Sequence, residues 1–598
     1  MKVSDYVIQF VIDLGVKHLF FLPGGGAMHL NDSLGARAGD IEPVCMLHEQ
    51  AAAIAAENYA KATGRIAAAL FTTGPGGTNA VTGIAGAWLD STPCLYLCGQ
   101  VKRPDLKGDS GVRQMGVQEV DLPAIVAPIT KYAVTVMDPA AIRYELEKAV
   151  HIATSGRPGP VWVEIPLDVQ AAQIDPATLQ GFTPEPPATP LQDLKTLVAQ
   201  TIQYLLHAQR PIILVGHGVR LARAIEDFRS LVDRLRVPVI ASWLAPDILP
   251  FDHPYYVGRP GVVAPRGVNF ALQNSDFLLT IGTRIDCTMT GYAPEKLARA
   301  ATKVMVDIDP NELRKFDKYF NLRIQADAGD FIREFSRQAE AITLPDIKPW
   351  RDRCNEWKFK YPVVLPEHRL PDQLVSTYYF AEVVGELMQP GDFIISGSSG
   401  AGIEIFQHAL QMKKDQRLFH TTALGSMGYG LPAAIGACAA AGKRSTVCVE
   451  GDGSLQLNVQ EFATVARDQW PIKLFVLNNA GFSSIRTSQT RWFGRLIAAD
   501  ATSGLVLPSV TRVAEAYGLR TVTIKDQSNL HDEVAAVLAM EGPVVCEVIC
   551  IPDEARIPSL GAVQRADGSM VSKPIEDLSP LLDREEFRAN MLIPTIDE

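Results

Sequence analysis

The feature that most constrains the fold of this chain is a Gly-Asp-Gly turn that joins two apolar segments. An apolar run at residues 445–449 leads into the turn at 451–453, and a second apolar run at 472–477 ends on Asn478 and Asn479. The text between the turn and the second run has helical character. A strand, a helix and a second strand in this order predict a βαβ unit with oxygen-bearing side chains at both strand ends.

This arrangement of oxygen-bearing residues is suited to a diphosphate that is held through Mg²⁺. Because Mg²⁺ prefers octahedral oxygen coordination, we expect side-chain ligands from Asp452 and Asn479 and a backbone carbonyl ligand from Gly481. The backbone at Gly453 and Ser454, where the following helix starts, can approach the phosphates and present amides to them. Gly-Asp-Gly alone is most often an ordinary turn, and the asparagine pair after a second strand makes the metal site the better interpretation.

Further segments, together with this motif, resemble the thiamine diphosphate enzymes, and among them the acetohydroxy acid synthase branch. The matching segments are LPGGGAM at 22–28, LHEQAAAIAAENYAKATG at 47–64, TTGPGGTNAVTGIAGAWLDSTP at 72–93, GRPGPVWVEIPLDVQ at 156–170 and ALGSMGYGLPAAIGA at 423–437. The resemblance extends from residue 1 to about residue 550. It implies thiamine diphosphate and Mg²⁺ as cofactors.

Composition excludes several classes of protein. The chain has 598 residues, 47% of them apolar and 21% charged, which allows several domains with buried cores. A net charge of −11 argues against general binding to nucleic acids or anionic membranes. The nine cysteines are scattered, and we expect reduced, buried thiols. The N-terminus does not have the pattern of a signal peptide and no run of about 18 apolar residues occurs, so we expect a cytoplasmic protein without membrane spans.

Alternation of apolar strands with helical segments predicts an α/β fold of three Rossmann-like, doubly wound parallel-sheet domains. We expect a pyrimidine-binding domain at residues 1–175, a central domain at 190–345, a diphosphate-binding domain at 376–555 and a C-terminal tail at 556–598. The Pro-rich stretch at 183–191 predicts a linker, and residues 345–375 predict a second connection.

The resemblance supplies the roles of the first and third domains and the expected assembly. In this family the cofactor lies between the pyrimidine domain of one chain and the diphosphate domain of another. We therefore expect a homodimer at least, with a homotetramer as the alternative, and small-molecule substrates as the other partners.

Glu49 is the residue that the resemblance assigns to activation of the cofactor. It follows an apolar run at 43–47 and opens an Ala-rich helix. In the family, a carboxylic acid at this place is hydrogen-bonded to the aminopyrimidine N1′ and favours the tautomer that removes the proton from C2. An ordinary glutamate in the first turn of a helix is the alternative.

Two further segments match residues that surround the cofactor in the family. Met427 takes the place of the apolar residue that bends the cofactor, and Gly425 would offer its carbonyl to the aminopyrimidine. Ser398 and Ser399, in SGSSGAG after a predicted strand, carry hydroxyls suited to phosphate contact, with a flexible loop as the alternative.

The residues expected near the substrate differ from those of the relatives. Gly25 stands where decarboxylase relatives carry an aspartate, and the lack of a carboxylate there favours carboligation over release of an aldehyde. Gln118 matches a family glutamine near the reacting centre, and Val117 replaces the aromatic residue that usually precedes it. Synthases usually place a tryptophan where this chain has Ser488, and Trp492 follows four residues later. The acceptor therefore stays open.

FAD is the second cofactor that the resemblance brings into question. The segment GTRIDCTMTG at 282–291 matches a flavin-contacting segment at Arg284 and Asp286, while Cys287 and Thr288 replace an acidic and a basic residue. A central domain that binds nothing or only ADP is the alternative, and we favour FAD.

The function that the resemblance implies is a thiamine diphosphate-dependent transferase or lyase. Such an acetolactate synthase-like carboligase decarboxylates pyruvate and transfers the two-carbon hydroxyethyl or acetyl unit to a second carbonyl. Transfer to a keto sugar nucleotide and a 2-keto acid decarboxylase or lyase are the alternatives. A non-catalytic cofactor-binding subunit is disfavoured because Glu49, Asp452 and Asn479 are all present.

Overall fold

Three parallel sheets of six strands each organise the chain, which confirms the predicted α/β architecture. The computed structural model describes residues 1–185, 193–340, 342–397, 400–564, 567–568 and 570–596. Most of the predicted linker at 183–191 thus lies outside the described residues. Helices cover both faces of the sheets, as fully buried parallel strands require.

The first sheet has the strand order β2-β1-β3-β4-β6-β5. Its strands are β1 (His18–Phe21), β2 (Glu42–Cys45), β3 (Ala67–Phe71), β4 (Cys94–Gln100), β5 (Tyr132–Thr135) and β6 (Val161–Pro166). The accompanying helices are α1 (Val3–Asp13), α2 (Met28–Ala36), α3 (Glu49–Thr63), α4 (Pro75–Asn79), α5 (Val81–Leu89), α6 (Leu122–Val126), α7 (Ile142–Thr154) and α8 (Leu167–Ala171).

The central sheet has the strand order β12-β11-β10-β7-β8-β9, which is the order of a Rossmann fold. Its strands are β7 (Pro211–Val215), β8 (Val239–Ala241), β9 (Tyr256–Gly258), β10 (Phe277–Ile281), β11 (Thr302–Asp307) and β12 (Leu322–Gln325). Its helices are α9 (Leu194–Leu206), α10 (Gly218–Leu221), α11 (Ile225–Leu235), α12 (Arg266–Asn274), α13 (Pro310–Lys315), α14 (Ala328–Ala339) and α15 (Lys348–Lys360).

Helix α15 corrects the interpretation of residues 345–375 as a plain connection. Its weak periodicity hides a helix that is anchored by two tryptophans. The indole of Trp350 donates to the carbonyl of Pro211, 2.9 Å away, and the backbone of Trp357 lies so close to Gly267 that a Cβ there would be 2.6 Å from it. The segment therefore belongs to the central domain.

The third sheet repeats the order of the first, as β14-β13-β15-β16-β18-β17. Its strands are β13 (Phe393–Ser396), β14 (Arg417–Phe419), β15 (Thr446–Gly451), β16 (Ile472–Asn478), β17 (Arg520–Ile524) and β18 (Val544–Ile549). Its helices are α16 (Thr377–Leu387), α17 (Ala401–Ala409), α18 (Gly430–Ala440), α19 (Asp452–Leu455), α20 (Phe462–Asp468), α21 (Ser483–Phe493), α22 (Val510–Ala516) and α23 (Leu530–Ala539).

The tail packs on the central domain. It contains the hairpin β19 (Ala562–Gln564) and β20 (Met570–Ser572) and the helix α24 (Arg584–Asn590). Asn269 of α12 donates to the carbonyl of Ile575 at 2.7 Å, and Gln273 donates to the carboxylate of Glu576 at 2.8 Å. These buried polar contacts fix the tail to α12.

Helices α3 and α18 join the first and third domains of the same chain. A Cβ on Gly436 would lie 2.0 Å from the carbonyl oxygen of Ala55, so the two helix backbones touch. The hydroxyl of Tyr429 donates to the side-chain oxygen of Asn58 at 2.7 Å inside this interface. One apolar core consequently extends across both domains.

Two expectations from composition concern cysteines and membranes. All nine cysteines fall within the described residues and are free, and seven of them are buried, as expected for reduced thiols. Within the described ranges, no helix combines the length and apolar character needed to cross a bilayer.

Candidate functional site

The Gly-Asp-Gly turn and the asparagine pair lie side by side at one edge of the third sheet. Strands β15 and β16 are adjacent and parallel, with Gly451 opposite Leu477. Asp452 therefore starts α19 directly beside the point where β16 ends at Asn478. The predicted βαβ unit is confirmed, with a short turn of 3₁₀ helix between α19 and α20.

The Asp452 carboxylate joins the two strand ends. Its Oδ1 accepts from the amide of Gly453 at 2.8 Å, and its Oδ2 accepts from the amide of Gly481 at 3.0 Å. Burial raises the pKa of this carboxyl to about 6, in spite of the two amides. Gly481 adopts a φ of +119°, and a Cβ there would lie 2.6 Å from the carbonyl of Ala499. The loop shape thus requires glycine at this predicted ligand position.

The side-chain oxygen of Asn479 indicates whether this site can hold a metal. Its Oδ1 is buried and has no hydrogen-bond partner among the residues that the structure describes. A buried amide oxygen without a partner is costly, and a cation would satisfy it. No cluster of three or more His, Cys, Asp or Glu side chains able to hold a metal occurs in the described part of the chain. A metal here would rely on Asp452, Asn479 and backbone oxygen, a set that fits Mg²⁺.

Arg486 of α21 supports this loop and has no counterpart in the sequence predictions. Its guanidinium donates to the carbonyls of Asn479 at 2.8 Å and Ala480 at 3.0 Å, and it pairs with Asp553 at 2.9 Å. The side chain is 7% exposed. Only the tertiary fold brings an arginine from the following helix back onto the loop.

The segment that contains Gly425 and Met427 lies against the same turn. The hydroxyl of Ser454 accepts from the amide of Gly428 at 2.9 Å, so this predicted phosphate contact also ties the turn to the neighbouring loop. Gly425 has a φ of +65° and Met427 is half-buried. Ser398 and Ser399 lie outside the described residues.

Glu450 is a second residue that the sequence predictions missed. Its buried carboxylate accepts from the amide of Gly430 at 2.7 Å and from that of Gly451 at 3.1 Å. Burial raises the pKa of this carboxyl. It joins the start of α18 to the end of β15, and its position inside an apolar strand gave no sign of this role.

Glu49 opens α3 in the first domain and is 5% exposed. Its Oε2 accepts from the side-chain amide of Asn79 at 2.9 Å. A Cβ on Gly76 would lie 3.3 Å from its Oε1, so α4 packs tightly against the carboxylate. The structure therefore places Glu49 in a buried pocket of its own domain, not on the surface.

Glu461 of the third domain holds the backbone that leads into Glu49. Its Oε1 accepts from the amide of Leu47 at 3.0 Å, and its Oε2 accepts from the hydroxyl of Thr464 at 2.7 Å. Burial raises the pKa of this carboxyl to about 7. Because Glu461 follows the Gly-Asp-Gly turn within the same βαβ unit, it connects that unit to the start of α3 in the same chain.

Gly25 and Gln118 lie at two turns of the first domain. Gly25 begins a 3₁₀ turn, and no described heavy atom lies within 4 Å of the position that a Cβ would take. Gln118 is exposed with a φ of +67°, and its carbonyl lies against Gly74, just before α4. Gln118 and Asn79, the partner of Glu49, therefore flank the same short helix.

Ser488 and Trp492 are separated by four residues on α21, so they share one face of that helix. Both are exposed, Trp492 by 47%. Trp492 therefore lies one helical turn beyond Ser488, the position where the synthase pattern has its tryptophan.

Arg284 and Asp286 line a cavity of about 650 Å³ at the carboxyl edge of the central sheet. The guanidinium of Arg284 has no partner among the described residues. Asp286 instead accepts from the amide of Met289 at 2.9 Å and so shapes the turn. The cavity has the size and position of a nucleotide site in an open α/β sheet, which an FAD or ADP moiety fits.

Comparison with known proteins agrees with this geometry. Three family models of the thiamine pyrophosphate enzymes match the chain. The N-terminal TPP binding domain matches residues 1–125, the central domain matches 198–335, and the C-terminal TPP binding domain matches 400–548. The chain is 31% identical over 553 residues to an acetolactate synthase large subunit of Pyropia yezoensis, with 91% of each chain covered.

Two other relatives come from a bacterium and an archaeon. The acetolactate synthase isozyme 2 large subunit of Escherichia coli K12 is 30% identical over 566 residues, which cover 92% of this chain and 95% of the relative. A probable acetolactate synthase large subunit of Methanocaldococcus jannaschii is 30% identical over 572 residues, which cover 93% of both chains.

We expect Asn479→Leu to weaken Mg²⁺-dependent binding of thiamine diphosphate at least about tenfold. Mutation of a residue that only hydrogen-bonds to a metal ligand already lowers metal affinity by that factor. Calorimetric titration of the cofactor with and without Mg²⁺ measures the effect. Asn355→Leu is the control, since this asparagine lies on the central domain and its side chain donates to the carbonyl of Pro254 at 3.4 Å, an exposed hydrogen bond. Equal Mg²⁺-dependent affinity in Asn479→Leu and the wild type would contradict the assignment.

We expect Glu461→Gln to change how the stability of the cofactor-free protein depends on pH. The pKa of Glu461 is about 7 in the folded protein, against 4.5 in the unfolded chain. The contribution of Glu461 to the free energy of unfolding is therefore fully present below pH 4.5 and is lost as pH rises through 7. The free energy of unfolding of the variant, relative to that of the wild type, should therefore rise by about 1–3 kcal/mol from pH 5 to about pH 8.

Denaturant titrations at a series of pH values measure this difference. Glu340→Gln, a substitution of an exposed glutamate on the central domain, is the control and should show no such trend. A difference in the free energy of unfolding between Glu461→Gln and the wild type that stays constant across this pH range would show that the pKa of Glu461 is not raised by folding.

Proposed function

The chain belongs to the thiamine pyrophosphate enzyme family, and we propose that it is a carboligase within this family. The proposed reaction decarboxylates pyruvate and joins the remaining two-carbon unit to a second carbonyl compound, with acetolactate as the default product. The observation that carries this proposal is the lack of a side chain at Gly25, where no described heavy atom lies within 4 Å of the Cβ position. Similarity to proteins named acetolactate synthase, over 91–92% of this chain, supports it.

When bound, thiamine diphosphate supplies a nucleophilic carbon that adds to a 2-keto acid and accepts the electrons released with carbon dioxide. Glu49 is suited to hold a proton at the aminopyrimidine N1′, because one carboxylate oxygen is occupied by Asn79 and α4 shields the group from water. Its burial strengthens a hydrogen bond to that nitrogen. Asp452, Asn479 and the carbonyl of Gly481 would hold Mg²⁺ at the diphosphate.

Gly25 favours transfer of the two-carbon unit over its release. Release as acetaldehyde needs a proton donor close to the reacting carbon. The turn at Gly25 provides no side chain, and no described atom fills the space where one would lie. The proton transfer that ends a simple decarboxylation is therefore slow, and a second carbonyl compound can react first.

The exposed face of α21 bears on the choice of acceptor. Ser488 and Trp492 present a small polar side chain and, one turn later, a large ring. A second pyruvate is the acceptor that the relatives' names support. The small, exposed side chain of Ser488, where the synthase pattern has a tryptophan, favours a larger, polar acceptor such as a keto sugar nucleotide as the second candidate.

We include FAD as the ligand of the central cavity, where it would have a structural role. The free guanidinium of Arg284 is suited to bind a pyrophosphate, whereas Asp286 acts on the turn itself. The visible absorbance of the purified protein tests this. A flavin band supports the assignment, and its absence after incubation with FAD would contradict it.

We also propose a homodimer as the smallest active form. The loop before Gln118 exposes Val112 by 44%, Met115 by 57% and Val117 by 86%. Three exposed apolar side chains so close together are more typical of an interface than of a free surface. Burial of this loop by a second copy would close the site beside Glu49.

The reaction is tested by incubation of the purified protein with pyruvate, Mg²⁺ and thiamine diphosphate, with products identified by nuclear magnetic resonance. We expect acetolactate. Acetaldehyde as the main product would contradict a carboligase. Consumption of pyruvate only after addition of a keto sugar nucleotide would instead support the second candidate.

We expect Glu49→Gln to keep cofactor binding and to lose turnover by about 10²–10⁴-fold, the range for loss of acid–base catalysis. Steady-state rates combined with cofactor titration separate the two effects. Glu340→Gln should leave both unchanged. A rate in Glu49→Gln close to that of the wild type would remove Glu49 from the mechanism.

A further inference from the structure

A second cavity, of about 320 Å³, lies between the central and third domains. We refer to it as the interdomain cavity. Its walls come from the region of β9, from α15 and the residues after it, and from the end of α17. It contains none of the residues assigned to the cofactors or to pyruvate.

Lys358 of α15 brings a buried positive charge to this cavity. Its side chain is 8% exposed, and Nζ donates to the carbonyls of Phe251 and Tyr256, the latter at 2.8 Å. Both partners are neutral, and no carboxylate among the described residues forms an ion pair with Lys358. Burial lowers the pKa of this ammonium to about 8. The charge is therefore held at a cost, and Asp252 acts on it only through space, without an ion pair.

Arg259, at the end of β9, adds a second buried cation. It is 8% exposed and donates to the carbonyl of Gln407, and its guanidinium lies 5.0 Å from the ring centre of Trp243. No carboxylate in the described part of the chain pairs with it. A guanidinium has five N–H groups, so the single carbonyl leaves donors unused.

The remaining polar groups on the cavity walls do not neutralise these two cations. Glu382 is the acid that lines the cavity, and it is occupied by Arg369 through two hydrogen bonds of 2.7 Å. His408 is buried, and its Nε2 has no partner among the described residues. The walls thus carry an excess of positive charge and unused hydrogen-bonding capacity.

Most of the rest of the lining is apolar and includes Phe251, Val257, Phe359, Val364, Leu410 and Met412. A cavity that combines buried cations with such walls suits a ligand with an anionic head and an apolar body. The volume lies at the lower end of the range for small-molecule sites.

We propose that the interdomain cavity is a binding site for a small amphipathic anion, a carboxylate or a phosphate ester with an apolar group, whose head is bound by Lys358 and Arg259. Because the walls come from both the central and the third domain, a bound anion would contact both domains at once. The site does not depend on the proposed reaction.

The test is calorimetric titration of the holoenzyme, already saturated with Mg²⁺ and thiamine diphosphate so that the diphosphate site is filled. Phenylphosphate and benzoate are the anionic probes, and benzyl alcohol is the neutral control. We expect saturable binding of at least one anion and none of benzyl alcohol.

Lys358→Gln and Arg259→Gln should each weaken anion binding at least about tenfold, since hydrogen bonds to charged groups contribute that much. Lys360→Gln is the matched control, because Lys360 lies on the same helix but pairs with Glu586 at 2.8 Å outside the cavity. Its affinity should stay within about twofold of the wild type.

Ala409→Phe tests the location without changing a charge, because it fills the cavity from the end of α17 and should abolish binding. It keeps the test decisive if either charge variant fails to fold, as judged by circular dichroism. The proposal is overturned by absence of saturable anion binding in the millimolar range. Binding that both Lys358→Gln and Ala409→Phe leave unchanged would overturn it equally, because the probe would then occupy another site.

Discussion

The parallel pairing of β15 with β16 is the constraint on which the candidate site depends. Adjacent parallel strands end at the same edge of a sheet, so the Gly-Asp-Gly turn and the asparagine pair meet there although they are far apart in sequence. The Asp452 carboxylate then accepts amides from both strand ends. The arrangement that we propose for Mg²⁺ therefore depends on this pairing and not on the motif residues alone.

A second constraint joins the first and third domains. Glycine at position 436 lets α18 touch α3, and Glu461 binds the backbone just before Glu49. One buried carboxylate of the third domain thereby helps to hold the backbone that leads into Glu49. A rigid link of this kind restrains the start of α3, and small errors in the position of a catalytic group reduce catalysis strongly.

The site concentrates buried acids whose pKa values are raised by desolvation. Asp452, Glu450 and Glu461 all belong to the segment around the Gly-Asp-Gly turn. Ionisation of each carboxyl in the folded protein costs desolvation free energy. Hydrogen bonds from amides and hydroxyls offset only part of this cost. For Asp452 a bound cation would remove this cost, so cofactor binding and folding stability are expected to be linked.

Sequence patterns by themselves determined the three α/β domains, the strands on both sides of the Gly-Asp-Gly turn, and the motif residues at their ends, because apolar periodicity and turn residues act locally. They also singled out Glu49, Gly25 and the displaced Trp492 through the family resemblance. Only the tertiary structure showed α15 as a helix, the tail on α12, and the support that Arg486, Glu450 and Glu461 provide. These features depend on contacts between residues distant in the chain, and a buried charge in a strand or helix carries no local signal of its partner.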